Sequence, residues 1–141
     1  MRRQAAVGFL ALGIAAAVSG CGGSSSYSLK STEACFNGKG LKAVPLANRY
    51  LPGSGGNLRV ALGKNYGYLY VYMVFDHSHT DAVATETKAV NLALASFKKK
   101  NLVMSRADVL AGVELNRNVF YYSNSGAIPQ NVNLAVQQCL S

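Results

Sequence analysis

The chain has 141 residues, is half apolar by residue type, and carries 14 Lys and Arg against 6 Asp and Glu, a formal net charge of +8 with both histidines neutral. That length holds one domain and leaves little room for a second. Charged residues make up only 14 %, and a chain this apolar is not wholly disordered.

Arg2 and Arg3 open the chain, and Ala5 to Val18 is an uncharged apolar run of 14 residues. A membrane-spanning helix needs about 20 apolar residues, so the run is short for a permanent span and right for the apolar region of a signal peptide. It ends in Val18-Ser19-Gly20-Cys21. These four residues resemble the lipobox of bacterial lipoproteins, an aliphatic residue, two small residues and a Cys, and all four positions match. The resemblance implies that residues 1–20 are a signal peptide cut away between Gly20 and Cys21, and that the Cys21 thiol carries diacylglycerol. A thiolate is the nucleophile such a transfer needs, and two acyl chains hold where one is marginal. The implied location is the cell membrane, lipid-anchored on the extracytoplasmic side.

Gly22-Gly23-Ser24-Ser25-Ser26 follows. Gly/Ser tracts are flexible coils, so residues 21–28 read as a lipidated Cys with its tether and 29–141 as a single folded domain. Without Arg2 and Arg3, twelve basic side chains remain against six acidic, or +6. A basic domain near anionic headgroups is attracted within a Debye length of about 8–10 Å. An exported chain does not meet nucleic acid as its proper partner, so that reading of the basic charge is set aside. With Cys21 lipidated, Cys35 and Cys139 remain, one near each end of the domain, in a compartment that permits disulfides. The expectation is a bridge between them; two buried free thiols are the alternative.

Within the domain, Ser31 to Gly38 reads as a short helix, capped by Ser31 or an adjacent Ser and ended by Gly38. Leu41 to Leu46 reads as a strand that Pro45 confines to an edge or a strand end. Pro52 to Gly56 has no apolar content and reads as the least structured loop. Asn57 to Leu62 alternates with Leu58, Val60 and Leu62 on one face; Gly63-Lys64-Asn65 is the expected turn. Tyr66 to Phe75 then alternates too, Leu69, Val71, Met73 and Phe75 one way and Tyr66, Tyr68, Tyr70 and Tyr72 the other. Asp81 to Lys100 is an amphipathic helix with acidic residues at its start and three lysines at its end, as the macrodipole prefers. Leu102 to Met104 and Val113 to Leu115 read as short strands, and Arg117 to Ser123 as a longer one. Pro129 suits the first turn of a last helix running to Leu140, with Cys139 on its inner face. The order predicts an α+β fold: a small, mainly antiparallel sheet of three to five strands with two or three helices on one face, the terminal helices joined by the disulfide.

Residues that could carry chemistry are few. His77-Ser78-His79-Thr80-Asp81 resembles the first half of the zinc motif of metallo-β-lactamase-like hydrolases, but Ala82 stands where that family has another His, and no further His exists to complete a site. The surviving metal reading is a weak surface site at His77 and His79 with Asp76 or Asp81; otherwise Ser78 caps the helix and Asp76 and the histidines are solvated. There is no Gly-x-Ser-x-Gly and no phosphate loop, so the chain reads as a non-enzyme without a cofactor. Tyr66, Tyr68, Tyr70 and Tyr72, with Arg59 beside them, form the main candidate: a row of amphipathic rings that would stack on an envelope glycan or clasp a protein. Ordinary cross-strand packing is the competing account. A Cys in a first short helix and another in the last turn of the final helix resembles small exported bacterial proteins of unknown function. The sequence reading is therefore a membrane-anchored exported lipoprotein with a non-catalytic domain that binds a cell-envelope component or protein through the tyrosine face. Its alternatives are a metal-binding or hydrolytic surface around His77 and His79, and a purely structural envelope protein.

Overall fold

A computed structural model describes residues 26–47 and 51–140. The leader, the lipobox, Cys21 and the start of the tether lie outside the described residues. In chain order the elements are α1 (Leu29–Gly38), β1 (Lys42–Pro45), β2 (Gly56–Ala61), a 3-10 turn (Lys64–Tyr66), β3 (Tyr70–Phe75), α2 (His79–Lys99), α3 (Arg106–Leu110), β4 (Val113–Asn116), β5 (Val119–Ser123) and α4 (Gln130–Cys139). The strands form one sheet in the order β1-β2-β3-β5-β4, every pairing antiparallel. The fold is α+β. Among the described residues no helix is long and apolar enough to cross a membrane.

Period-two alternation builds the main core. Leu58 faces Met73 and Met73 faces Tyr121 across the ladder, with Val60 and Val71 in the next row, and all five side chains are buried. Phe36 of α1 and Val132, Val136 and Cys139 of α4 close over them in one cluster. The Cys35–Cys139 disulfide joins the two helices, with Cα atoms 5.4 Å apart. Tyr121 is fully buried, and its hydroxyl donates to Asn133 Oδ1 of α4.

Burial pushes the Tyr121 phenol up to about 12, whereas tyrosines of the unfolded chain ionise near 10. The unfolded state thus releases a proton first, so this residue's contribution is intact below about pH 10 and lost as pH rises through about 12. Tyr121→Phe should remove about 2 kcal/mol of the stability decline between about pH 8 and 11.5. Urea midpoints at the two pH values check it; equal declines in both proteins would refute it.

The opposite sheet face is only half covered. Val74 and Phe120 face each other there and are buried outside the main cluster, as are Ala82 and Val90 of α2. α2 contacts β5 and β4 and packs on α3. Two helices therefore lie on one face, and α2 lies on the other over the β4–β5 half.

Four local expectations change. The β2–β3 connection runs from Leu62 to Leu69 rather than three residues, because Gly67 and Tyr68 take successive left-handed φ of 68° and 57° that break the alternation; Leu62 N–H donates to the Leu69 carbonyl across it, 2.8 Å. Leu102 to Met104 is not a strand: Ser105 starts α3 with a capping box closed by Asp108. Arg117 does not begin β5 but turns the β4–β5 hairpin at φ 52°. Gly40, at φ 75°, rather than Gly38 supplies the left-handed residue after α1. The Ser78 cap on α2 does form, its Oγ accepting from Asp81 N–H at 3.1 Å.

Tyr27 and Ser28, expected in the tether, belong to the folded unit. Ser28 caps α1. The Asn118 side chain accepts from Tyr27 N–H at 2.6 Å and donates to its carbonyl at 3.0 Å, and Arg117 lies 5.0 Å over the Tyr27 ring.

Candidate functional site

The cross-strand register decides which tyrosines share a surface. On the face left open by α2, one row reads Lys42, Ala61, Tyr70 and the next Val44, Arg59, Tyr72, Tyr122. Side chains directly opposite in an antiparallel pair point to the same side, so Lys42, Arg59, Tyr70 and Tyr72 form one strip. The Arg59 guanidinium sits 5.6 Å from the Tyr70 ring centroid, a cation–π contact that orients both. Tyr72 stacks on Tyr122 at 5.4 Å with 19° between planes, and Tyr122 on Phe120 at 6.4 Å. Burial, then the neighbouring Tyr72, raises the Tyr122 phenol. Exposure falls along the strip, from Tyr70 at 40 % through half-buried Tyr72 and Tyr122 to buried Phe120 under α2.

The four-tyrosine row is thereby shortened. Tyr66 lies in the 3-10 turn and packs against the main core. Tyr68, 69 % exposed, stands in the loop with positive φ. Tyr70, Tyr72 and Arg59 come together as expected. Lys42 is an addition that the alternation of β2 and β3 could not reveal, because it depends on how β1 registers with β2.

The two histidines have different neighbours. His79 Nδ1–H donates to the Arg117 carbonyl, 2.7 Å, which ties that ring to the β4–β5 turn. His77 lines a cavity of about 380 Å³ together with Tyr27, Lys30, Asp76 and Asn118. Among the described residues no group of three His, Cys, Asp or Glu is placed to hold a metal ion.

Asp76 is not solvated as expected: it is 4 % exposed. Its Oδ1 accepts from Ser54 N–H at 2.9 Å and from Ser54 Oγ at 3.1 Å, and Ser54 Oγ accepts from His77 N–H at 2.9 Å. The Asn118 amide donates to the Asp76 carbonyl, 2.7 Å. Ser54 is thus a buckle between loop and strand, with its hydroxyl engaged on both sides rather than aimed at a substrate. Comparison with family models, with characterised proteins and with solved structures finds no match to this chain.

Proposed function

We propose that this protein is an exported, lipid-anchored, non-catalytic module that holds an acidic cell-envelope component against the Arg59–Tyr70–Tyr72 strip. The observation that carries the anchoring is the disulfide. With Cys35 and Cys139 bonded to each other, Cys21 is the one cysteine left over, and it stands where the lipobox pattern needs its nucleophile. A stable bridge also belongs to an oxidising compartment. For the strip, support comes from its composition: two cations and three partly exposed rings, with no carboxylate in either row. Stacking on sugar faces and pairing with anionic groups both suit that set, so an acidic envelope polysaccharide fits better than a neutral one.

One experiment in two arms tests the reading. In a bacterial host, the wild-type chain should fractionate with membranes and incorporate labelled fatty acid, while Cys21→Ser should do neither. The purified domain should sediment with cell walls bearing anionic polymers and not with stripped walls, and Arg59→Ala with Tyr70→Ala should lose that binding with little change in thermal midpoint. Fatty-acid labelling that survives Cys21→Ser defeats the anchor; equal sedimentation with both wall preparations defeats the strip.

A further inference from the structure

The end of α2 presents an apolar group with no place in the fold. Leu102, Val103 and Met104 are 53 %, 101 % and 40 % exposed. The turn that carries them is held from both sides. Asn101 reverses the chain at φ 56°, Leu102 N–H donates to the Phe97 carbonyl at 3.0 Å, and Ser105 and Asp108 close a capping box at the start of α3. Arg106 reaches back to Asn91 Oδ1 on α2, 3.0 Å. A turn anchored this way cannot fold its side chains inward, so they stay in water until something covers them.

The surrounding charge points to what covers them. Between Glu86 and Asp108 the chain has five basic residues, Lys88, Lys98, Lys99, Lys100 and Arg106, and no acidic one. The three consecutive lysines stand directly beside the apolar tip. Complementing the helix dipole explains cations in the last turn, but it gives no reason for a fully exposed Val three residues later. A protruding apolar tip collared by lysines matches a boundary that is apolar within and anionic at its surface. Lysines lie along such a boundary with stems down and ammonium groups among phosphates, and each is attracted by an anionic leaflet. Beneath the tip, a depression of about 540 Å³ between Leu94, Lys98, Leu102 and Met104 gives room for an acyl chain end.

We propose that the Leu102-Val103-Met104 tip inserts into the headgroup region of an anionic lipid bilayer, with Lys98, Lys99 and Lys100 paired to lipid phosphates. This goes beyond the anchoring proposed for Cys21 and does not depend on it, because the tip would bind membranes without any attached lipid.

The absence of Trp from the chain makes the test direct. Residues 22–141, whose core draws only on Tyr27 to Leu140, are prepared without leader or lipid, so membrane binding can come only from the domain. Val103→Trp should give an emission that shifts to the blue with vesicles of phosphatidylcholine mixed with phosphatidylglycerol, and not with phosphatidylcholine alone. Leu134→Trp, at an exposed position of α4, should not shift. In the otherwise unaltered domain, sedimentation with the anionic vesicles should fall roughly tenfold or more on replacing Lys98, Lys99 and Lys100 by Gln, and a similar loss should follow Val103→Asp. No blue shift, or equal sedimentation of wild type and Val103→Asp, overturns the proposal. So does binding to neutral vesicles as strong as to anionic ones. If these arms fail while Cys21→Ser still releases the full chain from membranes, only the tip is lost, and the anchor stands.

Discussion

Replacing both bridge cysteines, Cys35→Ser with Cys139→Ser, should lower the stability of the domain by about 4 kcal/mol. The bridge joins residues 104 apart, and the chain-entropy argument gives about 4.7 kcal/mol for a loop of that length, while native disulfides of small exported domains typically contribute about 2–5 kcal/mol. At about 4 °C per kcal/mol for a domain of this size, the thermal midpoint should fall by about 15 °C. The loss acts mainly through the unfolded chain, whose two ends are freed. It should therefore leave the spectroscopic signature of the folded state nearly unchanged at low temperature. Wild-type protein melted with reductant should coincide with the double variant melted without it. Coincidence of wild type and variant under oxidising conditions would mean that the two sulfurs are not joined.

That bridge shows which part of the fold could be read from residue order. Cys139 falls on the same helical face as Val132 and Val136, so an inward-facing Cys at that position follows from spacing alone, while its bonding to Cys35 is an inference from the cysteine count. Leu58, Val60, Val71 and Met73 are legible in the same way, since alternation of apolar side chains is a direct projection of a sheet face. The Ser78 cap and the three lysines bound α2 to within two residues at either end. Periodicity marks which side of α2 is apolar, but it does not say which sheet face that side meets. The placement of α2 over Val74 and Phe120 depends on the long-range pairing of β3 with β5, and with it goes the partial covering of the tyrosine strip. The position of Tyr66 and Tyr68 was hidden for a different reason: their alternation with Leu69 and Val71 is unbroken in sequence, and only the left-handed φ at Gly67 and Tyr68 ends the strand.

The two proposed membrane contacts constrain each other. Five residues separate Cys21 from Tyr27, a span of at most about 22 Å when extended, and Tyr27 is pinned by Asn118, which also holds Asp76 just before α2. A 21-residue helix is about 30 Å long, so the apolar tip stands about that far from the pinned residue. A chain anchored at Cys21 with its tip in the bilayer thus has α2 inclined to the membrane, and the Gly/Ser tract is long enough to allow it.

The loop before β2 reads as structureless, yet it holds the position most sensitive to a single methyl group. A Cβ on Gly53 would lie 2.3 Å from the Phe75 carbonyl oxygen, 2.7 Å from Val74 Cγ1 and 2.9 Å from the Gly56 carbonyl oxygen. Two of those three atoms belong to backbone, one of them in the central strand β3, so the loop and not the sheet must move. Moving it withdraws Ser54 from Asp76, whose Oδ1 takes both the Ser54 N–H and its hydroxyl and whose Oδ2 has no hydrogen-bond partner among the described residues. Overpacking costs about 1–3 kcal/mol, and a hydrogen bond to a charged group contributes about 1.5–3 kcal/mol. Gly53→Ala should therefore destabilise the domain by about 3 kcal/mol or more in urea unfolding. Gly63→Ala is the matched control: its Cβ meets nothing within 4 Å, its φ of −77° suits any residue, and its midpoint should move by no more than about 0.5 kcal/mol. Ser54→Ala, which removes the hydroxyl but keeps the N–H, should fall between the two at about 1–2 kcal/mol. That ranking follows only if residues 53–55 are clamped on the end of β3, and equal midpoints for Gly53→Ala and Gly63→Ala would show that they are not.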